Sequence, residues 1–239
     1  MPAGLDGNRE PLRTPARDAV LAEVAAAVLA LRRGRPVLVG VDGQAGSGKS
    51  TFADELAERL AAAGVAVVRS TTDSFHRPRR DRFPPGVDLA DSYVDRSHDL
   101  DAVRRHVIDP FLRGGGAVRV AAFDERSDAP IDAPPQPVPP DGALVFDGLF
   151  LHRPELRSSW TLSVLLVGPS RARADAAAGL DRCQACGPDA LLHVARWAAL
   201  AHRYLHGWER YVERDRPEDR ATFVVDNDDL AAPVVVRRR

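Results

Sequence analysis

A single lysine fixes much of what this chain can be. Of its 33 Lys and Arg side chains only Lys49 is lysine, and it stands in Gly43-Gln44-Ala45-Gly46-Ser47-Gly48-Lys49-Ser50-Thr51. This is a complete G-x-x-x-x-G-K-S phosphate-binding loop. A compact ammonium on a flexible stem can follow phosphate oxygens where a wide, planar guanidinium fork cannot, so arginine is no substitute there. The motif counts only between a strand and a helix. Residues 36–41 form a short, nearly all-apolar run, the pattern of a parallel strand buried on both faces. Downstream, Phe52, Leu56 and Leu60 recur every four residues among charged neighbours, and Gly64 supplies a stop. The glycines let backbone N–H groups converge on phosphates, and the helix N-terminus adds a favourable dipole. ATP with Mg²⁺ is therefore expected on Gly43, Ala45, Gly46, Ser47, Gly48, Lys49, Ser50 and Thr51. Lys49 is expected on the β- and γ-phosphates and the Ser50 hydroxyl on the metal.

A length of 239 residues suits one α/β domain with extensions. A net charge of −1 gives no electrostatic case for nucleic acid. Residues 24–31 are apolar but too few to span a bilayer, and the charged N-terminal stretch does not resemble a signal peptide, so no membrane and a cytoplasmic location are expected. Cys183 and Cys186 form a lone C-x-x-C without a second pair, read as incidental and reduced. His202 and His206 lie one helical turn apart with no further ligand evident, and are read as a solvated face.

Residues 1–13 read as a loose tail and 14–239 as a single domain. Thr14-Pro15 opens a helix whose apolar face is Val20, Leu21, Val24, Val28 and Leu31. Strands are expected at 36–41, 65–70, 143–147, 162–167 and 222–225, with 117–123 a further candidate. Residues 98–112 read as a helix with Leu100, Val103, Val107, Ile108 and Leu112 on one face. Residues 77–92 lack periodicity and read as a loop. The six prolines of 129–140 make an extended connector. A long helix over 189–214 carries the stripe Trp197, Ala201, Tyr204, Trp208 and Tyr211, read as core.

Phosphoryl transfer needs positioned phosphates, a metal, and a carboxylate to orient or deprotonate the acceptor. Asp147 follows four apolar residues, as a Walker B acid does, which places it beside the phosphate loop at the carboxyl edge of the sheet. Asp73 sits just beyond the second expected strand, where it suits either catalysis or a turn.

The phosphate loop and Thr72-Asp73-Ser74-Phe75-His76 together resemble the uridine kinase branch of the uridine kinase and phosphoribulokinase family, in which D-S-F-Y follows the loop. The resemblance makes Asp73 the base for a nucleoside 5′-hydroxyl and puts His76 at the family's base-contacting tyrosine. The stretch 93–101 is similar to N-F-D-H-P-D-A-F-D, which implies that Asp95 holds the ribose hydroxyls. Phe123-Asp124-Glu125 resembles Y-D-F, with Arg126 close by, and Asp147-Gly148 stands where the family usually has E-G. Arg203-Tyr204, Gly207, Tyr211 and the stretch 221–233 with Asp226-Asn227-Asp228 resemble the C-terminal part of bacterial members. The family's R-R-x-x-R-D lid is reduced to Arg171, Arg173 and Arg182 among alanines, and the histidine after Y-D-F has no counterpart.

These features predict an α/β P-loop NTPase of nucleoside-kinase type: a five-stranded parallel sheet with helices on both faces. A substrate-binding insertion is expected over 74–140 and a lid over about 170–187. The metal ligands are expected to be Ser50, Asp73 and Asp147, the catalytic groups Asp73 and Lys49, and the acceptor contacts His76, Asp95, Phe123 and Arg126. The expected activity is ATP-dependent phosphorylation of a uridine- or cytidine-like nucleoside. Two alternatives remain: a kinase of another small alcohol of pantothenate or nicotinamide riboside type, and a nucleotide-binding protein without transfer activity. A GTPase switch is disfavoured, since its N-K-x-D motif needs a second lysine.

Overall fold

The computed structural model describes residues 14–168 and 198–239. The lid arginines Arg171, Arg173 and Arg182, the pair Cys183 and Cys186, and Trp197 lie outside them, as does the tail 1–13.

Helix α1 (Pro15–Leu31) starts where its capping residues require. Thr14 accepts from the Arg17 N–H, Pro15 occupies the first turn, and Val20, Leu21, Val24, Ala25 and Val28 are buried. Strand β1 (Val37–Gly43) follows, then α2 (Lys49–Ala62) and β2 (Val67–Thr71). Two short ribbons pair β3 (Ala117–Val118) with β6 (Gln136–Pro137) and β4 (Phe123–Asp124) with β5 (Ala129–Pro130). Strands β7 (Ala143–Gly148), β8 (Leu162–Val167), β9 (Phe223–Asp226) and β10 (Val234–Arg238) complete the chain.

The main sheet runs β10-β9-β8-β1-β7-β2. The five expected strands are all present and mutually parallel. A sixth, β10, adds antiparallel to β9 at the edge, so the sheet is mixed rather than purely parallel. Its Val234 and Val236 are exposed, which leaves no buried-strand pattern for sequence reading to detect.

Every residue of β1 and β7 is buried, and alternation sorts their side chains onto two cores. Val37, Val39, Val41, Ala143 and Val145 pack with α1 and α2, through Val24, Val28, Phe52 and Leu56. Leu38, Leu144 and Phe146 pack on the other face with Val103, Val107, Ile108 and Phe111. Those last residues lie on a helix over 100–112 whose middle turn, Arg104–Ile108, is π. Phe111 rather than Leu112 completes its stripe. Phe111 stands about three turns above Leu100 and is buried, whereas Leu112 is exposed.

Residues 77–92 are not a loop. They contain α3 (Arg79–Arg82) and enter α4 (Leu89–Arg96), whose cap Asp88 accepts from the Ala90 and Asp91 N–H groups. Helix α4 has too few turns to show a period alone, and its burial comes from a distant partner. Tyr93 and Val94 pack with Phe150 and with Tyr204, Trp208 and Tyr211 of the C-terminal helix. That helix is described from 198, through a π turn at His202–His206, to Asp215. Of the expected stripe, Tyr211 is buried and Tyr204 and Trp208 are partly buried against the same cluster. Among the described residues no helix is long and apolar enough to cross a membrane.

Candidate active site

The phosphate loop is held open by close packing that only glycine permits. A Cβ on Gly43 would come within 2.6 Å of Ser47 Oγ and 2.8 Å of the Leu166 carbonyl. Gly48, at φ 84°, caps α2 in the left-handed region, with Asn227 Nδ2 where a side chain would go. Asn227 Nδ2 donates to the Ser47 carbonyl at 2.7 Å, and its Oδ1 accepts from Arg17 at 3.3 Å. The turn after β9 thus clamps the loop. Lys49 Nζ folds back to donate to the Gln44 carbonyl at 3.0 Å. Burial lowers its pKa, while the charges of Asp73, Asp42 and Asp147 act in the opposite direction. Ala45 and Gly46 form the crown of the loop, and Thr51 lies exposed in the first turn of α2.

Asp147 stands at the end of β7, in register with Val41 of β1 and Thr71 of β2. Ser50 Oγ donates to its Oδ2 at 2.7 Å and Arg69 to its Oδ1 at 2.8 Å. Gly148 follows because a Cβ there would overlap the Thr72 side chain. A hydroxyl and a carboxylate converging at the loop are hard oxygen donors, the set that suits Mg²⁺ bound together with phosphates.

Asp73 is carried by a 3₁₀ turn, Thr72–Phe75, anchored by buried Phe75 and by the Thr71 hydroxyl accepting from its N–H. Its carboxylate side chain is 65% exposed. Partial desolvation would raise its pKa, but His98, His76 and Lys49 outweigh this and hold it at about 2. It is a carboxylate at neutral pH. His98 Nε2 lies 3.7 Å from Asp73 Oδ1, an ion-pair separation too long for a hydrogen bond. Burial pushes the His98 imidazole down, toward its neutral form. His76 Nδ1 is 2.8 Å from the Asp73 carbonyl, so that nitrogen carries the proton.

Of the expected acceptor residues, His76 lies on the Asp73 turn itself. Phe123 is buried in the β4–β5 ribbon, which joins the Asp73 turn through Ala122 N–H to the Ser74 carbonyl at 2.9 Å. Arg126 lies exposed at the ribbon's turn, its N–H on Asp124. Asp95 pairs with Arg214 at 3.0 Å and Arg153 at 3.6 Å. Among the described residues no hydrogen bond or ion pair joins it to Asp73 or His76.

Other residues beside this site were given no role from sequence. Arg203 is buried beneath Phe83 and Tyr93, 4.3 Å and 5.0 Å from their ring centres. Tyr93 Oη is buried with no hydrogen-bond partner among the described residues, within the electrostatic reach of Asp73. Asp42 is the largest omission. Fully buried, it accepts from the Gly43 N–H at 2.8 Å, the Leu151 N–H at 3.2 Å and His152 Nδ1 at 2.9 Å, and from the Tyr211 hydroxyl. It thereby ties the phosphate loop to the segment after β7 and to the C-terminal helix. A carboxylate inside an otherwise apolar strand was the available signal. Asp42→Ala would leave these buried donors unpaired and is expected to cost about 3–5 kcal/mol. Denaturant unfolding checks this, and a loss under about 1 kcal/mol would show that water replaces the carboxylate at little cost.

A glycine-rich loop between a buried parallel strand and a helix, with an acid ending the adjacent strand, defines a P-loop NTPase. The chain belongs to the AAA ATPase domain family, whose model matches residues 13–233. No curated protein matches it significantly in sequence. Among solved structures it is similar to a possible uridine kinase from Bacillus stearothermophilus, with TM-score 0.66 and 20% identity, covering 87% of this chain and 97% of that one. A D-glycerate 3-kinase from Cryptococcus neoformans var. grubii gives TM-score 0.55 at 13% identity over 91% and 99% of the two chains. Phosphoribulokinase from Rhodobacter spheroides gives 0.53 at 17% over 81% and 70%. The fold is that of the uridine kinase and phosphoribulokinase group, as the D-S-F turn implied.

Proposed function

We propose that this chain is an ATP-dependent kinase that phosphorylates the 5′-hydroxyl of a nucleoside, uridine or cytidine in kind. The observation that carries the reading is Asp73, an exposed carboxylate just beyond the end of β2 whose charge acts on Lys49. The loop N–H groups and Lys49 would hold the phosphates in line with the acceptor. Asp73 would take the acceptor's proton as its oxygen forms the bond to the γ-phosphorus and the bond to the β-phosphate oxygen breaks, releasing ADP. Ser50, Asp73 and Asp147 would hold Mg²⁺, which would supply the positive charge that offsets charge developing on the phosphates. His76, Asp95, Phe123 and Arg126 would line the acceptor, within an insertion over 74–140. Arg171, Arg173 and Arg182 would clamp the phosphoryl group from a lid over about 170–187. A single domain over 14–239, acting in the cytoplasm, fits this reading.

A second reading, a kinase of another small alcohol, is favoured by one observation. Asp95, the expected ribose ligand, already has Arg214 and Arg153 as partners.

A panel of ribonucleosides and non-nucleoside alcohols with ATP·Mg²⁺ separates the readings. Phosphorylation of uridine and cytidine is expected at rates within about ten-fold of one another. A site with a histidine for the base-contacting tyrosine, and without the histidine after Y-D-F, has too few polar partners to reject either base strongly. Transfer to a non-nucleoside alone would replace the acceptor assignment and leave the kinase. ATP binding without transfer to any acceptor would favour the non-transferring alternative.

A further inference from the structure

The Asp73 turn holds a group of ligands that a magnesium-dependent kinase does not need. Asp73, His76 and His98 each present one ligand atom, and these atoms all lie within 4.8 Å of one another. They come from two separate stretches of chain, brought together by an isolated antiparallel bridge between His76 and His98. The bridge is fixed by the Arg77 N–H on the Ser97 carbonyl at 3.0 Å and the Asp99 N–H on the Phe75 carbonyl at 2.8 Å. The imidazole rings stand 4.5 Å apart, centre to centre.

We propose that Asp73, His76 and His98 form a site for a borderline-soft divalent cation of the Zn²⁺ class, sharing Asp73 with the expected magnesium ligands and differing from them by its two imidazoles. Three observations converge on it. His98 Nε2 is buried, has no hydrogen-bond partner among the described residues and faces Asp73 Oδ1 at 3.7 Å. Ligands of a tetrahedral ion at about 2.1 Å stand about 3.4 Å apart, so that separation needs little closure. His76 uses Nδ1 on the Asp73 carbonyl at 2.8 Å, which leaves Nε2 with its lone pair free and its ring oriented. Metal-bound histidines are oriented in this way, with the second ring nitrogen donating to a carbonyl or carboxylate. Two imidazoles and one carboxylate leave a fourth position open, and nitrogen donors select zinc-like ions over Mg²⁺. Binding there stands independently of the kinase reading. If Asp73 is the base, a bound ion would also occupy its carboxylate and block proton transfer.

Titration of the full-length, nucleotide-free protein with Co²⁺ tests the site, read by visible ligand-field absorption and then by competition with Zn²⁺. One equivalent is expected to bind with the absorption of a low-coordinate, nitrogen-containing site. His76→Ala, at a half-buried position, should weaken binding at least ten-fold, since even outer-shell changes at such sites cost that much. His98→Gln should do the same, with circular dichroism confirming that both variants are folded. The double variant Cys183→Ser/Cys186→Ser and the variant His202→Ala should bind like the parent. Absence of saturable binding, binding unchanged in both His76→Ala and His98→Gln, or binding lost with the cysteines or His202 would each overturn the proposal.

Discussion

Lys49→Arg is expected to abolish turnover, lowering kcat by roughly three orders of magnitude or more although the formal charge is retained. Lys49 is half-buried, and its ammonium sits 3.0 Å from the Gln44 carbonyl, inside the curve of its own loop. A guanidinium brings a planar fork and five donors into a space shaped for a compact point charge. Its neighbours cannot retreat. Gly43 is pinned against Ser47 and Leu166, and Gly48 against Asn227. Desolvation lowers the lysine pKa, and the charges of Asp73, Asp42 and Asp147 act against that shift. Steady-state kinetics with ATP titration is the check. Activity within a few-fold of the parent would remove the argument that this position needs an ammonium.

Asp73→Asn carries the second large effect. It should leave ATP affinity nearly unchanged and lower kcat by about two to four orders of magnitude, the scale for losing a general base. The amide keeps the shape of the side chain and cannot accept the acceptor's proton. Asp73 is exposed, and Ser50 donates to Asp147 rather than to it, so the Ser50 hydrogen bond of the loop does not rest on its carboxylate. The discriminating measurement pairs nucleotide binding with kcat at saturating acceptor. Loss of ATP binding with kcat preserved would leave Asp73 only a metal or structural residue and would withdraw the catalytic assignment.

What could be read from the chain and what could not divide along a physical line. Val37–Gly43, Ala143–Gly148 and Leu162–Val167 are buried on both faces, so each announces itself as a continuous apolar run. Alpha-helices α1 and α2 are long enough to show their period, and the phosphate loop is a local motif whose glycines serve local geometry. Helix α4 and the edge strand β10 were not legible. The first is short and gains its burial from the C-terminal helix; the second is exposed and is defined by its pairing with β9.

The sequence alone therefore determined the nucleotide loop, the five parallel strands and the acids that end two of them. These depend on residues adjacent in the chain or repeating within one element. Tertiary structure alone decided the partners of those groups. Asp42 meets Tyr211 across 169 positions, Asn227 meets Ser47 across 180, and His98 reaches Asp73 through a bridge no periodicity encodes. Hydrogen bonds and ion pairs depend on distances of a few ångströms, and in a folded chain such distances are set by packing rather than by order along the backbone.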